Sequence, residues 1–125
     1  MKIIIETIDH KDQKYDTIGD YWTDPDGTWQ IRVSKMGNWK YEMAVALHEL
    51  WEKSLCYDRH IGEEFITQFD IEFEKNRKEG NTDEPGDDDS SPYFLEHCAA
   101  TGIERLFISS VNEKWKKYEE TINNI

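Results

Sequence analysis

The stretch Asn38–Tyr57, NWKYEMAVALHELWEKSLCY, constrains the fold of this chain more than any other segment. Met43 to Leu47 run apolar without a break, and Leu50, Trp51, Leu55 and Cys56 follow. Set among them are His48, Glu49 and Glu52. Such a run predicts a helix buried over most of its surface, and its ionisable groups then need partners or a metal, because an unpaired buried charge is costly. Gly37 interrupts the preceding segment, Asn38 is a good N-cap, and the helix is expected to end near Tyr57–His60, before Gly62.

At about 100° per residue, His48 and Glu52 fall one turn apart on one face, amid Tyr41, Ala44, Val45, Leu55 and Cys56. Glu49 falls nearer Glu42 and Lys53, on an expected solvent edge, where an i, i+4 pair with Lys53 is the plain alternative to a chemical role. The i, i+4 spacing of His48 and Glu52 lets one helix offer two ligands to one ion. The third ligand has to come from elsewhere, and His97 is the leading candidate. Its predicted helix, Pro92 to about Ser110, carries Ala99, Ala100 and Gly102, which permit a close neighbour. Glu96 and Asp70 are lesser candidates, while His10 and His60 read as loop residues. His48, Glu52 and His97 together make a two-histidine, one-carboxylate set that suits zinc with a position open to water, and Glu49 could serve as general base. The structural alternative is a His48–Glu52 hydrogen bond in a polar core pocket, with His97 satisfied near Glu104 and with Glu96 and Asp70 paired to Arg105, Arg77 or a helix end.

Around this helix the chain reads as α+β. Lys2–Ile8 is a β-branched strand; Gly19–Thr23 and Thr28–Lys35 flank the turn sequence Asp24-Pro25-Asp26-Gly27. Alternation puts Trp29, Ile31 and Val33 on one face of a half-buried strand. These segments predict a small antiparallel sheet of about three strands, packed on three to four helices. Glu63 to about Arg77 predicts a helix, with a strand over Phe69–Phe73 as the alternative. Lys78–Ser91 is an acidic, flexible loop, Ser91-Pro92 opens the next helix, and Val111, Trp115, Tyr118 and Ile122 form a last helical stripe. At 125 residues the chain is expected to be a single domain.

The formal charge of -12, from 27 acidic against 15 basic residues, argues against non-specific binding of nucleic acid or anionic membranes. It leaves a protein or peptide partner, or divalent cations. No segment reads as a membrane span or signal peptide, and Cys56 and Cys98 read as two buried free thiols, so the cytoplasm is the expected location.

A strand followed by a helix carrying His-Glu resembles the core of minimal zincin metallopeptidases, over roughly Thr28–Tyr57. That resemblance implies His48 as first ligand and Glu49 as base; Glu52 stands where the zincin motif His-Glu-x-x-His has its second histidine. The layout of N-terminal strand, His-Glu-Leu-x-Glu helix, acidic loop and Glu96-His97 helix with Ile103-Glu104-Arg105 also resembles short uncharacterised phage and prophage proteins. Together these imply a metal-dependent, zincin-like hydrolase of phage or prophage origin, acting in the host cytoplasm. The alternative is a non-catalytic acidic accessory protein that binds a host or virion partner through Asp87, Asp88 and Asp89. A magnesium set of Glu49, Glu52 and Glu96 or Asp70, as in all-α nucleotide pyrophosphatases, leaves both histidines without a role.

Overall fold

Strand β3 (Trp29–Ser34) takes the centre of the sheet because both of its faces find cover. Trp29, Ile31 and Val33 are buried on the apolar face; Gln30 and Ser34 are buried on the other. The polar pair is satisfied by side chains, Gln30 donating to Asp24 at 2.8 Å while Ser34 meets His10 at 2.8 Å and Gln13 at 3.1 Å. The computed structural model describes all 125 residues, Met1–Ile125.

Strand β2 (Gly19–Thr23) pairs antiparallel with β3 through the expected turn, where Gly27 sits at a φ of 90° that favours glycine. Strand β1 (Ile3–Ile8) lies on the opposite edge and runs parallel to β3, Ile3 facing Trp29. The sheet is therefore mixed, in the order β1-β3-β2, rather than wholly antiparallel. The chain passes beyond the place β3 will occupy, forms β2, and returns between them. Ile3 and Ile5 stay exposed on this edge, as suits the strand with least to bury.

Helix α1 (Trp39–Asp58) begins as expected: the Asn38 side chain accepts from the backbone N–H of Lys40 and Tyr41, and Glu42 accepts from Met36 and Gly37. It lies across the apolar face of β3 and against α3 (Phe94–Ser110). Ala44, Ala46 and Ala100 keep that approach tight. The main core joins Ile31, Val33, Tyr41, Ala44, Val45, Ala46, Ile108 and Tyr118, the last from α4 (Trp115–Asn123). Each fully buried aliphatic side chain here contributes roughly 1.5–3 kcal/mol.

Helix α2 (Glu63–Lys75) is helical through Phe69–Phe73, which removes the strand alternative. Helix α3 begins two residues later than Ser91-Pro92 suggests, since the Ser91 hydroxyl accepts from the Tyr93 N–H in a turn before it. Between α2 and α3, the loop folds a short 3-10 turn, Pro85–Asp87, against both helices. Arg77 holds the loop's path by donating to the carbonyls of Asn81 and Asp83. Cys56 is buried but Cys98 is exposed, so the expected pair of buried thiols holds for one only. No helix is long and apolar enough to cross a membrane.

A candidate metal centre

Helices α1, α2 and α3, the start of β2 and the loop around Pro85 line an open cavity of about 330 Å³. His48 and Glu52 reach it from α1 as the helical spacing requires, and His97 reaches it from α3. Glu52 Oε2 lies 3.1 Å from His48 Nε2 and 3.0 Å from His97 Nδ1. The two rings meet edge to face, with centroids 4.7 Å apart. Their ligand atoms all lie within 4.8 Å of one another, so this buried cluster could hold a metal ion. All three expected ligands are thus brought together.

The atoms behind these ligands fix their orientation. His48 Nδ1 is 2.7 Å from Glu104 Oε1, and the other Glu104 oxygen accepts from the Tyr118 hydroxyl. Glu52 Oε1 accepts from the Tyr21 hydroxyl at 2.9 Å. Glu104 therefore backs His48, not His97: it lies two turns along α3 from His97, where the chain crosses the middle of α1. A carboxylate behind the far nitrogen of a ligating histidine sets its tautomer and strengthens its donor atom.

Burial alone would lower the pKa of both histidines, but the surrounding carboxylates outweigh it. Glu104 and Glu52 raise His48 well above its ordinary value; Glu52 and Glu84 raise His97 to about 10. Burial alone would raise Glu52, yet the two imidazoles hold it down at about 2. The carboxylates around the two imidazoles thus favour positive charge at this centre, which protons or a divalent ion could supply.

Glu49 departs from its expected place. It is half-buried and faces the cavity beneath β2, where a Cβ on Gly19 would come within 2.5 Å of its carboxylate. Burial raises its pKa well above the ordinary carboxylate value and the nearby Glu52 raises it further. It takes no part in the hydrogen bonds that occupy its neighbours. The alternative Glu49–Lys53 pair is absent because Lys53, only 1 % exposed, runs the other way. Its ammonium reaches Glu63 at 2.5 Å and Thr23 at 2.7 Å and lies over the Trp29 ring.

The lesser candidates have structural partners. Glu96 is bound by Arg59 at 2.5 Å, not by Arg105. Asp70 accepts from the hydroxyls of Tyr93 and Tyr15, not from Arg77, and burial raises its pKa to about 7. His10 bonds Ser34 and Asp16, and His60 ends α1 at a φ of 57°. Two carboxylates that sequence reading does not single out as ligands, Glu84 and Asp87, each approach His97 Nε2 to 3.2 Å. The signal for them is Pro85-Gly86 within the acidic run: a Cβ on Gly86 would strike the His97 ring, so glycine is what lets the turn come this close.

Comparison with family models, curated proteins and solved structures finds no match to the chain.

Proposed function

We propose that the chain is a metal-dependent hydrolase of zincin-like design, with His48, Glu52 and His97 holding a divalent ion, zinc by donor type, and Glu49 acting as general base. The observation that carries this reading is the His48–Glu52–His97 triangle, backed by Glu104 and opening on a cavity that also holds Glu49. The donor set fits the ion: two imidazoles and a carboxylate leave a coordination position for water. When bound, the ion supplies Lewis acidity that makes a water nucleophilic near neutral pH.

The protein's own part is to position and to move a proton. Glu49, kept free of hydrogen bonds and raised in pKa, is suited to take the proton of the attacking water and return it to the leaving group. Glu104 and Tyr118 hold His48 in orientation. Tyr21 does the same for Glu52.

The cavity wall favours a neutral or cationic substrate, as at a peptide or other amide bond. Asp20, Glu49, Asp70 and Glu84 line it, and Arg77 is its single Lys or Arg, already engaged by Glu74 and two carbonyls. Phosphate groups find no free basic partner there. The turn of Glu84 and Asp87 inward to His97 favours this reading over a partner-binding role for the whole acidic run. Origin in a phage or prophage remains part of the proposal, on the layout described above.

The test is metal content by mass spectrometry on protein purified without chelator, followed by a peptide-library cleavage assay. Wild type is expected to carry about one or more equivalents of zinc, His48→Ala and His97→Ala to lose it, and Glu49→Gln to keep it while losing cleavage. Failure of wild type to bind zinc, manganese or iron sinks the metal reading. Metal bound but equal cleavage by Glu49→Gln removes Glu49 as base.

A further inference from the structure

We infer that the loop between α2 and α3 builds a second divalent-cation site, in which Glu84, Asp87 and the outer nitrogen of His97 are the ligands and the His97 ring is shared with the first. This rests on the proposed metal centre and extends it. The two far nitrogens of the histidines behave differently. His48 Nδ1 is occupied by a hydrogen bond to Glu104 at 2.7 Å. His97 Nε2 is the one buried side-chain nitrogen or oxygen with no hydrogen-bond partner, although two carboxylates lie 3.2 Å from it. Glu84 and Asp87 pair with it as charges, and neither completes a well-directed hydrogen bond to it.

A cation placed between the three groups would satisfy the nitrogen and both carboxylates at once. Ligand atoms about 2.0–2.1 Å from a tetrahedral ion lie roughly 3.3 Å apart, which is the separation seen from His97 Nε2 to each carboxylate. The ligand atoms of Glu84, Asp87 and His97 all fall within 4.8 Å of one another. The site is anchored on its inner side by a ring that is 3 % exposed, while the Glu84 and Asp87 side chains are about half exposed, at 53 % and 52 %. Water completes the shell on that side. One nitrogen and two carboxylate oxygens suit zinc or manganese.

The chain closes on this arrangement by its own design. Pro85 starts the 3-10 turn, Gly86 is buried against His97 with no room for a side chain, and the flanking Glu84 and Asp87 therefore straddle the ring. With both sites filled, His97 binds one ion at Nδ1 and one at Nε2 as an imidazolate. Its remaining ring proton passes to solvent as the second ion enters. The two ions then stand about 6 Å apart, across the ring.

Equilibrium dialysis of the full chain against Zn²⁺, with metal counted by mass spectrometry, tests this beside the exposed-loop variant Glu84→Gln/Asp87→Asn. Two ions per chain in wild type and one in the variant support the shared ring. Loading with Cu²⁺ should then give a spin-coupled resonance in wild type and an uncoupled one in the variant. One ion in both proteins overturns the second site and leaves the first intact. Two ions in both overturn Glu84 and Asp87 as ligands. One ion in wild type and none in the variant places the single ion at the loop, which overturns the shared ring and the first ligand set as well. No ion in either overturns both readings.

Discussion

Replacing Glu52 with alanine removes the acceptor on which three donors converge, two buried histidine nitrogens and one half-buried hydroxyl. In the metal-free protein those donors are His48 Nε2 at 3.1 Å, His97 Nδ1 at 3.0 Å and the Tyr21 hydroxyl at 2.9 Å. Each buried donor left unsatisfied costs about 1–3 kcal/mol, and breaking a buried ion pair from one side costs about 3–5 kcal/mol. The adjoining cavity can admit water to part of the gap, so we expect Glu52→Ala to lose about 3–5 kcal/mol. A domain's total is about 5–15 kcal/mol. The pKa gives a second route to the same contacts, not an addition to them. A carboxyl at about 2 in the folded chain and 4.5 unfolded contributes about 3 kcal/mol near neutral pH. Its folded-state value is depressed, so this contribution is present above pH 4.5 and is lost as pH falls toward 2. The assay is urea unfolding followed by tryptophan fluorescence, with chelator, from pH 7 to 3. The variant's midpoint should fall by about 2 M with an unchanged slope. The gap to wild type should narrow below pH 4.5. A variant within about 0.5 kcal/mol of wild type at pH 7, or a gap that stays constant down to pH 3, would refute the hydrogen-bond account.

Three further outcomes follow from the same geometry. Glu104→Gln keeps the shape behind His48 but removes the charge, so zinc affinity should fall about 10–100-fold in a chelator-competition titration while the fold persists. Gly19→Ala drives a Cβ into the Glu49 carboxylate, which can swing aside; zinc content should stay the same and cleavage should fall at least about tenfold, since the proposed base is displaced. Asp70 has a folded pKa raised to about 7 from 3.8, so it favours the folded state at low pH and loses that advantage as pH rises from about 4 to 7. Asp70→Asn should therefore be more stable than wild type above pH 7, and the difference should disappear near pH 4 in thermal melts.

What the sequence determined by itself was local. The run from Met43 to Leu47 compels a buried helix, the i, i+4 spacing of His48 and Glu52 places them on one face, and Asn38 caps the start. The alanines around His97 foretell a close helix pair, and the three expected ligands do meet. These follow from helical geometry, which acts over a few residues. The direction of β1 was not local: nothing in KIIIETI says whether β3 will lie beside it parallel or antiparallel, and the order was set by which strand could bury both faces. The place of Glu49 was not local either. A helical projection gives its angle but not what covers that angle, and here β2 covers it through Gly19 while Lys53 turns to Glu63. Glu84 and Asp87 look like their neighbours in an acidic run until the loop folds back on α3. The central helix thus carries its ligands in sequence, but their chemistry is decided by the elements packed against it, because burial and charge at a site come from side chains distant in the chain.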